Sequence, residues 1–255
     1  MPLDLVTIPC RTDNYAYLIH DAATGATAVV DVPDAAPIMA ELAARGWSLS
    51  DILITHHHDD HIAGVGALQA ATGARVCGGL SDAHRLPPLD LALTEASTVS
   101  IGSELARVIA VPGHTIGHIA YHFPASGFVF TGDSLMAAGC GRLFEGTPEM
   151  MWASLSKLAA LPPETLVCSG HEYTASNIRF ALSLEPANSA LMLRSTEVAM
   201  AREAGLPTVP STLSEELATN PFLRASVPQI KAALGMADAS DVACFAELRR
   251  RKDRF

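Results

Sequence analysis

The chain is short of positive charge. Its 17 lysines and arginines stand against 27 aspartates and glutamates, a formal net charge of −10. A nucleic-acid binder shows a basic stripe, and an anionic membrane surface attracts basic clusters; neither partner suits this composition. No apolar run approaches the roughly 20 residues a helix needs to cross a bilayer. The opening residues Met1-Pro2-Leu3-Asp4-Leu5 lack the basic-then-apolar pattern of a secretory signal. There is no CxxC pair, and the five cysteines (Cys10, Cys77, Cys140, Cys168, Cys244) are scattered and odd in number. They read as reduced thiols, so a cytoplasmic location is expected. Cys140 stands out only because it lies in the Gly-rich run Gly139-Cys140-Gly141. Internal repeats, low-complexity segments and long linkers are also missing, as is any obvious Ser-His-Asp arrangement for nucleophilic catalysis.

What is present begins with hydrophobicity. At 49% apolar, 255 residues suffice for one large domain, or one domain and a smaller companion. The densest chemistry is Thr55-His56-His57-His58-Asp59-Asp60-His61, directly after the apolar run at 51–54. Imidazole and carboxylate are the ligands that suit zinc, iron and manganese. His56 and His58 are two apart, so in an extended loop they point the same way. Asp60 and His61 are adjacent and can turn to a second point. One short loop can therefore offer two ligands to each of two neighbouring metals. A solvated polar loop is the plainer alternative.

The chain opens as a strand meander at 3–8, 15–19 and 26–32, broken at Asp13-Asn14 and Thr24-Gly25. A helix is expected over 35–45, with Gly46 as its left-handed stop. A strand over 52–55, the His/Asp loop, a helix over 64–71 and a strand over 74–77 make a β-loop-α-β unit. Its polar cluster sits at the strand's carboxyl end, where open α/β sheets hold their ligands. The arrangement recurs after strands at 105–111, 128–130 and 166–168, where Gly113-His114, Gly132-Asp133 and Gly170-His171 follow. Glycine lets the chain turn sharply and presents the next side chain at the sheet's rim. A lone histidine is usually structural, but these three join the first loop to give seven candidate ligands on four strand ends. His118 and His122, on a strand over 117–123, read as structural; His20, His57 and His84 stay outside the site, and Asp59 reads as exposed. A helix over 147–161 starts with Thr147 as N-cap and Pro148 in the first helical position. Beyond His171 no strand is expected. Helices are expected over 174–184, 189–204, from the Thr212/Glu215 capping box to Asn220-Pro221, and over 229–234 and 241–252. The division is therefore 1–173 for catalysis and 174–255 for a helical domain. The closing Arg249-Arg250-Arg251-Lys252-Asp253-Arg254-Phe255 is a basic island, either a solvated helix end or a carboxylate-binding patch.

These motifs resemble the metallo-β-lactamase superfamily and, within it, the hydroxyacylglutathione hydrolases (glyoxalase II), over nearly the whole chain. Thr55–His61 matches T-H-x-H-x-D-H, which the superfamily shares. More specific are Pro112-Gly113-His114-Thr115, Thr131-Gly132-Asp133, Gly139-Cys140-Gly141-Arg142, Glu145-Gly146-Thr147, Gly170-His171-Glu172-Tyr173, Val209-Pro210-Ser211-Thr212-Leu213, Asn220-Pro221-Phe222 and the Arg-rich end with Lys252-Asp253. The resemblance implies an α/β (α+β) class, an αββα sandwich followed by an all-α domain. It implies two divalent metals, zinc first, with iron or manganese also accepted. His56, His58 and His114 match the ligands of one metal, Asp60, His61 and His171 those of the other, and Asp133 the carboxylate shared by both. It implies that Arg249 and Lys252 hold the glycine carboxylate of glutathione, that Tyr173 gives a hydroxyl contact, and that Arg142 stands where a lysine is familiar. Phe144 stands where some members have a second tyrosine, one hydroxyl fewer.

The activity implied is hydrolysis of S-(2-hydroxyacyl)glutathione thioesters, chiefly S-D-lactoylglutathione to glutathione and D-lactate, by hydroxide shared between the metals. The expected partner is this small-molecule substrate, with no nucleic acid, no membrane and a monomeric state. The rivals are a lactonase of the same fold, a persulfide dioxygenase using one iron, and a metal-binding protein without catalysis. The complete second-metal set and the long helical tail speak against the dioxygenase.

Overall fold

The computed structural model describes residues 2–255; Met1, where the signal-peptide reading starts, lies outside them. The chain divides into two compact units. One holds the residues up to Ala110 together with Ile116–Gly132; the other holds Val111–Thr115 and Asp133–Phe255.

The first unit is built from β1 (Asp4–Cys10), β2 (Asn14–His20), β3 (Thr27–Val30), α1 (Ala35–Arg45), β4 (Asp51–Leu53), the single turn α2 (Asp59–Ile62), α3 (Val65–Thr72), β5 (Arg75–Gly79), β6 (Leu91–Leu93), β7 (Thr98–Ile101), β8 (Glu104–Ala110), β9 (Ile119–Phe123) and β10 (Phe128–Gly132). Its first sheet runs β1-β2-β3-β4-β5-β6. The first three strands pair antiparallel as a meander, while β3 to β6 pair parallel. Parallel neighbours need a crossover, which α1 supplies between β3 and β4 and α3 between β4 and β5, while residues 80–90 link β5 to β6 without an α-helix. α1 starts where the Asp34 side chain accepts from the Ala36 N–H and stops at Gly46, at φ 68°. Ile38 and Leu42, one turn apart, share a buried cluster with Leu18, Val29 and Ile52 of the sheet and Val65 and Leu68 of α3. Removing so deep a side chain, as in Ile38→Ala, costs about 2–5 kcal/mol.

The second sheet of this unit is the antiparallel run β10-β9-β8-β7. Tyr121 of β9 donates its hydroxyl to the Ile54 carbonyl at 2.9 Å, and the Phe130 ring of β10 lies 5.5 Å from Tyr17 of β2. The two sheets thus face each other across an aromatic layer. Covered on both faces, β2 is buried at every position, whereas β7 alternates buried and exposed.

The second unit holds β11 (Leu135–Met136), β12 (Gly139–Cys140), α4 (Pro148–Ala159), β13 (Leu166–Ser169), α5 (Thr174–Leu184), α6 (Ser189–Glu203), β14 (Ser211–Thr212), α7 (Leu213–Thr219), α8 (Pro228–Leu234) and α9 (Asp241–Lys252). Thr147 caps α4 from the Met150 N–H, with Pro148 opening the helix. Apart from the single turn α2, which lies in the expected His/Asp loop, the helices agree with the expected ones to within a few residues. Strands β6, β7, β11 and β12 lie where the sequence suggested none. So does β14, which pairs with β13 through Leu166 and Val167 beyond the supposed last strand. All are two to four residues long, too short to show a periodicity of their own.

Candidate metal centre

In the first unit the polar loop leaves β4 and divides in two. His56 and His58 sit on extended backbone, and the imidazole nitrogens His56 Nε2 and His58 Nδ1 are 3.1 Å apart. From Asp59 the chain winds into α2, which turns Asp60 and His61 to another point. There His61 Nε2 is 3.8 Å from Asp60 Oδ2. Asn14 steers Asp60, its amide donating to the Asp60 carboxylate at 3.1 Å. Asp59 is largely exposed and pairs with Arg11.

A residue the sequence reading passed over organises this loop. Asp31 is buried and left-handed, at φ 58°, just past β3. It accepts the Thr55 N–H and the Thr55 hydroxyl, each at 2.8 Å, and the His61 Nδ1–H at 2.8 Å. With its own proton committed to Asp31, the Thr55 oxygen accepts from His56 Nδ1, 3.1 Å away. One carboxylate thereby fixes the tautomers of two imidazoles. Both leave Nε2 with a lone pair, the form that binds a metal. The sequence places Asp31 inside the strand expected over 26–32, whereas β3 ends at Val30 and leaves the aspartate just past it.

His57 faces away from this arrangement, its Nδ1 3.1 Å from Asp82 Oδ2, and Asp82 in turn pairs with Arg85. His118 is closer to the chemistry than expected, because its ring stacks on His56 at 4.6 Å and 14°. Gly132 has φ 47°, and a Cβ there would collide with the Thr55 hydroxyl and the His118 ring.

The second unit carries the other three candidate ligands on three loops. His114 Nδ1 donates to the Arg142 carbonyl at 2.8 Å, which leaves its Nε2 lone pair facing Asp133 Oδ2 at 3.4 Å. His171 Nε2 approaches the same Asp133 oxygen at 3.3 Å. Asp133 is thus flanked by two ring nitrogens, and a nitrogen lone pair facing a carboxylate oxygen is favourable only with a cation or proton there. The donor chemistry and the outer partners on Nδ1 fit a metal in both units.

Around these donors the second unit also places the residues named for substrate. Tyr173 stacks on His171 at 4.7 Å, nearly parallel, and the exposed Phe144 meets His114 edge-on at 5.2 Å. The Arg-rich end of α9 divides by direction. Arg250 and Arg251 pair with Glu247, as a solvated helix end would. Arg249 and Lys252 turn inward. Arg249 is only 6% exposed, donates to the Cys140 carbonyl at 2.8 Å, pairs with Asp253 and lies over the Phe222 ring. Lys252 donates to Ser176 and sits over Phe180 and Phe255. Burial, and then the cations Arg249, Arg179 and Arg142, pull the Lys252 ammonium down to about 8. Arg142 is mostly exposed and 3.9 Å from Asp253. The Cys140 thiol is buried and pushed up to about 11, so it is protonated and inert at neutral pH.

Residues 11–171 match the family model of the metallo-beta-lactamase superfamily, and residues 172–255 match that of the hydroxyacylglutathione hydrolase C-terminus. A hydroxyacylglutathione hydrolase of Cereibacter sphaeroides is 67% identical over 255 residues, 100% of each chain. The chain belongs to the hydroxyacylglutathione hydrolase family. Membership brings the metallo-β-lactamase fold with a C-terminal helical domain, as the resemblance implied, and this fold together with its His/Asp clusters points to divalent-metal binding. Among solved structures, that of ETHE1 from Myxococcus xanthus is 26% identical with a TM-score of 0.68, over 98% of this chain and 90% of that one. TTHA1623, solved in a di-iron-bound form, is also 26% identical, with a TM-score of 0.60 over 86% of this chain and 99% of its own. No helix among the described residues is long and apolar enough to cross a membrane.

Proposed function

We propose that the protein hydrolyses S-(2-hydroxyacyl)glutathione thioesters, chiefly S-D-lactoylglutathione, to glutathione and the hydroxy acid. The reading is carried by the two donor groups, in which His56, His61 and His114 each have Nδ1 against a protein oxygen and Nε2 left for a metal. The seven side chains together would hold two divalent ions. His56, His58 and His114 serve one, Asp60, His61 and His171 the other, and Asp133 both. Zinc suits the set, and iron or manganese fits the same ligands; the di-iron form of TTHA1623 supports iron as an alternative.

Bound divalent metal supplies Lewis acidity, bringing the pKa of water toward neutrality and polarising a carbonyl oxygen. The protein's own groups do the rest. Asp31 holds the His56 and His61 tautomers, and the Arg142 carbonyl holds that of His114. Asp133, facing two imidazoles, sets their separation. Tyr173 and Phe144 present apolar walls that position the acyl sulfur, and Tyr173 adds a hydroxyl. The cations of Arg142, Arg249 and Lys252 attract the glutathione carboxylates, with Lys252 and Arg142 the more accessible of the three. Water adds to the thioester carbonyl and the C–S bond breaks; one proton of the water passes to the departing thiolate, giving glutathione, and the other to solvent, giving the hydroxy-acid carboxylate. Thiolate is a stable leaving group, so no dedicated general acid is required.

In this reading residues 174–255 form the substrate-binding domain beside a catalytic domain of 1–173, and the protein is a cytoplasmic monomer that binds neither nucleic acid nor membrane. Metal analysis of the purified protein tests the reading, alongside assays with lactoylglutathione, a lactone and glutathione persulfide. Loss of thioester absorbance with lactoylglutathione alone is the expected result. Turnover confined to the lactone or the persulfide would replace the reading with one of its rivals.

A further inference from the structure

Asp133 stands at the root of a very short hairpin. β11 and β12 pair through two residues each, Leu135 with Cys140 and Met136 with Gly139. Their connection passes through Ala138, a non-glycine residue at φ 54°. So small a hairpin has little stability of its own. Its backbone groups are instead taken up by side chains from the helical part of the second unit. Asn220, the C-cap of α7, donates to the Met136 carbonyl at 3.1 Å and the Gly139 carbonyl at 2.9 Å. Asn177 of α5 donates to the Ala137 carbonyl at 3.0 Å. Glu216 of α7 accepts the Ala138 N–H at 2.8 Å.

The clamp is itself held rigidly. Glu216 and Asn220 are fully buried and Asn177 nearly so. Glu216 also pairs with Arg194 and accepts from the Ser211 hydroxyl at 2.7 Å and the Asn220 amide at 3.0 Å. At the other end the hairpin reaches the donors. The Gly141 N–H donates to the Ser134 carbonyl, and a Cβ on Gly141 would collide with the Asp133 carbonyl and crowd the His114 ring. The next residue supplies the carbonyl that accepts from His114 Nδ1. A shift of the hairpin therefore moves both Asp133 and His114.

We propose that Asn177, Glu216 and Asn220 are positioning residues for the metal centre, holding Asp133 and His114 in place through the β11–β12 hairpin. The helical segment then has a second task besides binding substrate: it sets the ligand geometry. The inference rests on the metal reading above.

The test uses the full chain with Asn177→Ala and Asn220→Ala, and Asn188→Ala as control. Asn188 caps α6 and donates to the Ala218 carbonyl, so its loss weakens the same helices without touching the hairpin. Zinc affinity is measured by competition with a chromophoric chelator, at a temperature where circular dichroism shows each variant folded. Asn177→Ala and Asn220→Ala should bind zinc about tenfold more weakly, the low end of what loss of a ligand's direct outer partner costs, because they act one step further out. Their kcat should fall with KM little changed, and the control should match the wild type. Should Asn220→Ala fail to fold, the single bond removed in Asn177→Ala decides the matter. Wild-type affinity in the folded variants, or an equal loss in the control, overturns the proposal alone. A wild-type chain that binds no zinc, iron or manganese overturns the metal reading and this inference with it.

Discussion

The two donor groups are built differently. In the first unit four candidate ligands lie within six residues, on one strand end and one helical turn, and a single buried carboxylate, Asp31, orders two of them. In the second unit three candidate ligands come from loops far apart in sequence; a backbone carbonyl faces His114, and Asp133 lies at the root of a hairpin bonded by side chains of the helices. The first group is local and can be disturbed at one point. The second is spread out, with its supports divided among several side chains.

The largest effect tests whether both groups are required. His58→Ala in one and Asp133→Ala in the other should each abolish turnover and lower metal content, read by elemental analysis and thioester absorbance. Wild-type rate and metal in both would end the assignment. Next is Asp31→Asn, which keeps the shape and tolerates the left-handed backbone but replaces an acceptor of three hydrogen bonds. It should weaken metal affinity about 10–100-fold, more than either asparagine variant of the hairpin clamp. A smaller loss than those would reverse the comparison between a point support and a distributed one.

Smaller effects concern the basic end of the second unit. Removing Arg249 and Lys252 together should raise KM well above any fall in kcat, the mark of lost uniform binding; an unchanged KM would leave the two cations a packing role only. Lys252 also gives a pH dependence. Its ammonium is charged below about 8 and neutral above it, so KM for an anionic thioester should climb as pH rises from 7 to 9. In Lys252→Arg the guanidinium stays charged and the profile should be flat. The smallest change is Phe144→Tyr, which restores a hydroxyl beside His114; one added hydrogen bond should lower KM roughly fivefold.

Legibility followed the same division. The His56–His61 run is conspicuous because so many polar groups rarely end a buried strand, and the glycines before His114, Asp133 and His171 mark the other loops. Asp31 gave no such mark, since its role depends on Thr55 and His61 folding back over it. His118 read as structural because nothing in 117–123 predicts that its ring lies flat on His56. The basic tail kept two readings open, and only packing separates Arg250 and Arg251, paired outward with Glu247, from Arg249 and Lys252, turned in.

From the sequence alone came the kinds of ligand, the strand ends that bear them and the order of the helices, because turn chemistry and hydrophobic periodicity are properties of neighbouring residues. Tertiary structure alone decided which oxygens face the Nδ1 atoms of His56, His61 and His114, which arginine of the tail is buried, and which asparagines bond the hairpin. Those depend on hydrogen bonds between residues some 20 to 110 positions apart, and no local pattern records where the partner of a buried polar group will be found.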